Sequence, residues 1–200
     1  MKKSLLLAAS LLPLLSACNA LSPKSPAPAA SPEAAWVGEA RQVAGSVPPK
    51  LMAVLGAAIQ EGGPAHAIGV CQSEAPKMAR AASEATGWQI RRVSLGNRNP
   101  KAVPDAWERA TLQEFDRLQA AGAEVAQLER AEVVTENGQQ VKRYMRALPV
   151  QQACLQCHGT ADKLGPGVAA RLSELYPQDK GTGYLLGQIR GAMTLRQNVQ

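Results

Sequence analysis

Cys154 and Cys157 are two residues apart, and His158 follows at once. Two thiols at that spacing can add across the two vinyl groups on one porphyrin edge, and the next residue then presents an imidazole to the iron. The run C-x-x-C-H therefore predicts covalent attachment of one c-type haem, with Cys154 and Cys157 as thioethers and His158 as proximal ligand. Two other chemistries use such a pair. Zinc needs about four N or S ligands, and the remaining candidates are only Cys18, Cys71 and His66. A thiol–disulfide pair has no need of the histidine and usually opens a helix after a strand. Haem fits better because the chain also carries an export signal.

Lys2 and Lys3 precede an apolar run from Leu5 to Leu15. That run is shorter than the roughly 20 residues that span a bilayer as a helix, and it reads as a signal peptide. Leu15-Ser16-Ala17-Cys18 resembles the lipobox of bacterial lipoproteins, where cleavage falls before the cysteine and its thiol takes lipid. Asn19, in place of Asp, favours the outer membrane by the same resemblance. The expected organisation is a signal peptide over 1–17, a lipid-anchored Ser/Ala/Pro-rich tether over 18–33 and one domain over 34–200. The expected location is the periplasmic side of the membrane, reached through the lipid anchor. Export agrees with haem attachment, which takes place outside the bacterial cytoplasm. The chain has four cysteines. With Cys18 lipidated and Cys154 and Cys157 on haem, Cys71 is left over in an oxidising compartment.

The formal charge is +6, and loss of Lys2 and Lys3 with the signal takes it to +4. The arginines are scattered and barely interleaved with aromatics, which gives no support for nucleic-acid binding. Aromatic residues make up only 4% of the chain, so a haem is expected to supply much of the apolar bulk of the core.

The first half reads as helices. Ser31-Pro32-Glu33 opens one; Pro48-Pro49 opens a second, with Leu51, Val54, Leu55, Ala58 and Ile59 at helical spacing up to Gly62-Gly63; Pro64 starts a third, and Pro76 a further turn ending near Gly87. Trp88 to Ser94 reads as a strand with Trp88, Ile90 and Arg92 on one side. A helix starts at Pro104-Asp105, a hairpin turns at Asn137-Gly138, a short helix covers Pro166 to Tyr176, and a last strand runs from Gln188 to Leu195. The order predicts an α+β domain, a small antiparallel sheet flanked by helices with an N-terminal helical region.

A low-spin haem needs a second axial ligand. The candidates are His66, Cys71, Met52, Met78, Met145 and Met193, or none, which leaves the iron five-coordinate. Ala67, Val70 and Cys71 share a helix face, whereas His66 lies about 140° round the helix from Cys71. Spacing favours Cys71 slightly over His66. Arg91, Arg98 and Arg146 are candidates for propionate or pocket contacts.

Five stretches together resemble a c-type haem family with a PAS-like fold, long catalogued as a domain of unknown function. They are Ala67 to Cys71; Arg92 to Leu95 with Arg98-Asn99-Pro100; Asp105 to Glu108; Cys154 to Gly159; and Tyr176-Pro177 through Gly183-Tyr184 to Ala192. Lys101-Ala102 stands where a more polar Asn-like position is expected. The resemblance implies a PAS-like sheet and His158 with the thiolate of Cys71 as the axial pair. Thiolate favours ferric iron and a low potential, and its loss on reduction would open a position for a diatomic gas. The expected function is a redox- or gas-responsive sensor acting through a protein partner. A low-potential electron-transfer cytochrome is the alternative. A haem peroxidase fits least, because a thiolate would occupy its distal site.

Overall fold

The computed structural model describes residues 32–199, with side chains from residue 35. The expected signal peptide, Cys18 and most of the tether lie outside the described residues.

Helix α1 covers Pro32–Thr86 and is followed by β1 (Gln89–Val93), α2 (Ala106–Ala120), β2 (Glu129–Glu136), β3 (Gln139–Pro149), α3 (Leu155–His158), α4 (Val168–Leu175) and β4 (Ile189–Asn198). The four strands form one antiparallel sheet in the order β1-β4-β3-β2. The α+β class and the small sheet flanked by helices are as predicted.

The helical pieces expected before Gly87 are joined into one run with a single break, at Gly63 (φ 78°, ψ 178°). Pro48-Pro49 does not begin a new helix. Proline's fixed φ is helical, and its cost is the hydrogen bonds its missing N–H cannot make. Asp105 caps α2 in a reciprocal box with Glu108. Asn137 and Gly138 turn the β2–β3 hairpin with φ 51° and 80°, the two positive values a type I′ turn requires.

The sheet sorts its side chains into two faces. Ile90, Leu195 and Tyr144 stand in one row across β1, β4 and β3, and Arg92, Met193 and Arg146 stand in the next. On this face Trp36, Ala40, Ala44 and Val47 of α1 pack against Trp88, Ile90, Tyr144 and Leu195. On the other face Leu112 and Phe115 of α2 pack against Val93, Met145, Ala147 and Ala192. Both clusters are filled by side chains, so the core is less dependent on a haem than the scarcity of aromatics suggested. After Gly63, Ile68 of α1 packs with Val168 and Leu172 of α4 and with Cys157, and further on Ala82 packs on the sheet cluster while Ser83 accepts from the Ile90 N–H at 3.0 Å.

Candidate functional site

Cys154 ends a short 3-10 turn, and Cys157 and His158 lie on the single turn of α3. The segment after α4 braces this turn. Tyr184 N–H donates to the His158 carbonyl at 2.9 Å, and Gly183 N–H donates to the Gly159 carbonyl at 2.8 Å. His158 Nδ1 lies 2.7 Å from the Gly181 carbonyl. A carbonyl only accepts, so this contact puts the ring proton on Nδ1 and leaves Nε2 with its lone pair. Arg190 Nε also stands 3.0 Å from Nδ1, but a protonated Nδ1 cannot accept from it. The guanidinium is held instead by the Ser94 hydroxyl and the Gly96 carbonyl, each accepting at 3.0 Å. Burial, and next the charges of Arg190, Arg98 and Arg92, push the His158 pKa well below its ordinary value. The imidazole is therefore neutral, the state in which it can ligate a metal.

The site face of the sheet supplies the cations. Register slips between Leu148 and Pro149, which face Gly191 and Ile189, so β4 carries an extra residue, Arg190, beside Gly191 at φ 143°. This bulge turns Arg190 to the side of Met193 and Arg92, while Ile189 points to the α2 cluster. A side chain at 191 would begin 2.3 Å from the Val93 carbonyl oxygen. Burial lowers the pKa of Arg92, and that of Arg190 falls to about 9, again from burial first and then from Arg92. Arg92 has no hydrogen-bond or carboxylate partner among the described residues; the groups acting on it are Cys71, Cys154, Arg98 and Tyr184. Arg98 is tied to Asp179 by two hydrogen bonds at 3.1 Å and donates to the Cys157 carbonyl at 2.6 Å.

Cys71 completes the site from α1. Burial raises its thiol pKa, against the opposing pull of Arg92, Arg98 and Arg190. Cys157 is raised too, by burial and then, after the opposing Arg98, by Cys71 and Cys154. Cys157 is thus near enough to Cys71 and to Cys154 for their charges to act on it, although none of the three is in a disulfide.

The structure brings together Cys71, Cys154, Cys157, His158 and Arg98 of the expected residues. Arg91 does not join them. It pairs with Glu108 on the α2 face, because neighbours on a strand point to opposite sides. Arg146 is on the site face but turns toward α1 and the Ala126 carbonyl, 3.2 Å away. Among the other ligand candidates, His66 is exposed beside Glu61, Met52 is exposed, Met78 is half-buried, Met145 is in the α2 cluster and Met193 is packed in the α1 cluster. The sequence reading missed Arg190 as a site residue, and it missed Arg92 too. For Arg92 the signal was present: alternation put a cation on the same side as Trp88 and Ile90.

A family model described as Tll0287-like matches residues 20–198. The chain belongs to this Tll0287-like family. A solved structure, the crystal structure of the cyanobacterial heme-protein Tll0287, superposes with a TM-score of 0.62 at 22% identity, covering 86% of this chain and 98% of that one. At that identity the match establishes the shared fold. No curated protein matches the chain.

Proposed function

We propose that this chain is an exported c-type haem protein whose iron is held between His158 and Cys71 and whose role is redox- or gas-responsive sensing. The observation that carries the reading is the convergence of Cys71, Cys154, Cys157 and a neutral His158 in one arginine-lined site. The donors fit the group. Cys154 and Cys157 would form the thioethers, and His158 Nε2 would ligate from one side while Nδ1 stays on Gly181, the kind of support that fixes a ligating imidazole. Arg92, Arg98 and Arg190 gather around the thiols with Asp179 as their nearby acid, and the unpartnered Arg92 calls for an anion such as a propionate. The solved relative of the same fold is called a heme-protein.

When bound, the haem would supply a one-electron iron couple that can open to a diatomic ligand. This chain's residues set the terms. Burial keeps Cys71 protonated when it has no metal partner, so ligation as thiolate releases a proton. A donor that regains its proton on leaving gives two states, the element a sensor needs. A second reading, electron transfer, is favoured by Leu185 and Leu186. They are 58% and 61% exposed and directly follow Tyr184, which is bonded to His158, so a docking partner would come close to the site.

The test is absorption and electron paramagnetic resonance of the purified ferric protein and of Cys71→Ser. The substitution should shift the Soret band, remove the low-spin thiolate signal, raise the reduction potential and speed carbon monoxide binding, with haem still attached. If Cys71→Ser changes nothing while His66→Ala or a methionine substitution does, the axial assignment is wrong and an ordinary electron carrier is the better reading. The lipoprotein part is tested separately. Cys18→Ala should move the haem-loaded protein from the membrane to the soluble periplasmic fraction, and continued membrane association would require another anchor.

A further inference from the structure

Cys71 and His158 can face one iron only if two elements meet: the part of α1 after Gly63 and the single turn of α3. Pro64, Ile68 and Cys71 stand at i, i+4 and i+7, so they share one face of that helix. Each meets the chain around C-x-x-C-H. Ile68 packs with Cys157, Val168 and Leu172. Cys71 lies near enough to act on Cys157. Pro64 meets Gly165. The Gly165 N–H donates at 2.9 Å to the carbonyl of Gln156, which lies inside C-x-x-C-H. Its carbonyl accepts from the Val168 N–H at 3.1 Å, where α4 begins. Gly165 thus stands between the helix that carries Cys71 and the turn that carries His158.

The contact leaves no room for a side chain. A methyl group on Gly165 would begin 2.5 Å from Pro64 Cγ and 3.0 Å from Pro64 Cβ. These are ring atoms next to the break at Gly63, and a ring with fixed φ cannot swing aside as the tip of a long side chain can. The backbone does not ask for glycine here, since Gly165 has no positive φ. Gly167 differs. A methyl group there would begin 3.2 Å from Ala65 Cβ, but its φ of 72° already explains the glycine. At Gly165 only the closeness of Pro64 explains it. We propose that Gly165 is a positioning residue for the axial pair: its missing side chain lets Pro64 close on the C-x-x-C-H turn, and that approach sets how near Cys71 comes to an iron held by His158. The inference rests on the His158–Cys71 reading above. Pro64 and Cys71 are joined by about two turns of stiff helix, so a side chain that pushes Pro64 outward carries Cys71 with it.

The experiment is electron paramagnetic resonance and cyanide titration of the ferric haem-loaded protein. Gly165→Ala should convert part of the low-spin thiolate signal to high-spin iron. Its apparent cyanide affinity should tighten about tenfold, because affinity follows the share of molecules in which Cys71 is off the iron. Adding Pro64→Ala removes the neighbour at 2.5 Å and should restore much of the thiolate signal. Ala65→Val drives the same segments apart at Gly167 and is the second, milder variant. Gly56→Ala, with open space around it, is the control and should match the parent. A Gly165→Ala protein that loses thermal stability but keeps the parent's signal and cyanide affinity overturns the inference, since the glycine then serves the fold alone. So does a thiolate signal that Pro64→Ala fails to recover. If Gly165→Ala does not fold, a parent-like spectrum in Ala65→Val overturns it. A parent protein without any thiolate signal overturns the axial reading itself, and this inference with it.

Discussion

Arg98 donates to the backbone carbonyl of Cys157 at 2.6 Å, so a residue on the loop after β1 holds the turn that carries C-x-x-C-H. Asp179 fixes Arg98 with two further bonds, and the two side chains are 11% and 10% exposed. Removing one partner of a buried pair leaves the other charged and unsolvated. Arg98→Leu should therefore cost roughly 3 kcal/mol, read as a lower denaturant midpoint. Arg98→Leu with Asp179→Leu should recover a good part of that loss. If the single and double variants are equally unstable, the pair is not the cause.

Gly191→Ala tests the bulge that aims Arg190 at His158. A methyl group there would begin 2.3 Å from the Val93 carbonyl oxygen, at a φ of 143° that side chains rarely adopt. Clash and strain together should destabilise by roughly 3 kcal/mol or more. Ala192→Gly, one residue on, has no such conflict and should lose only ordinary packing. A Gly191→Ala protein as stable as its parent would mean that the bulge can relax.

Much of this arrangement was legible in the sequence. The C-x-x-C-H run and Cys71, isolated by counting cysteines, come together in one site, and the Asn137-Gly138 turn and the Asp105 cap appeared where local chemistry put them. Long-range geometry was less legible. Arg91 and Arg92 are adjacent and chemically alike, and only the orientation of β1 sends one to Glu108 and the other to Cys71. Arg190 could not be placed because a strict period of two, continued from Met193, would have pointed it at α2; the bulge at Arg190 and Gly191 reverses that. Of the breaks suggested within α1, the one at Gly62-Gly63 before Pro64 is present, whereas Pro48-Pro49 and Pro76 stay inside the helix because proline's fixed φ is itself helical.

Stability should fall in acid. The hydrogen bond from Arg41 is the main cause holding the Glu129 carboxyl below its ordinary pKa. Burial raises Asp105, but the Glu108 N–H and Arg143 outweigh it, and Arg143 and Arg196 likewise overcome burial at Glu136. Each carboxyl thus binds protons less readily folded than unfolded. Their contribution is fully present above about pH 5 and is lost as pH falls through roughly 4 and then through the lower folded values. Denaturant midpoints from pH 7 to pH 3 should decline over that range, and Glu129→Gln should flatten part of the decline. A midpoint that is level down to pH 3 would contradict the assignment.

Arg92 and Cys71 make opposite predictions about the same quantity. Arg92 brings an unpartnered positive charge to the site, and after burial and Coulombic attraction are weighed, it is the first of the charges that pull the Cys71 thiol pKa down. A nearby cation favours the reduced, less positive iron, so Arg92→Gln should lower the reduction potential of the haem-loaded protein. Removing the anionic donor with Cys71→Ser should raise it. A change of roughly 59 mV is a tenfold shift in a one-electron equilibrium, so redox titration resolves even a fraction of either effect. Arg91→Gln, one residue away on the opposite face, is the control and should move the potential little. If Arg91→Gln and Arg92→Gln shift the potential alike, overall charge and not a placed guanidinium governs it, and the assignment of Arg92 to a propionate fails.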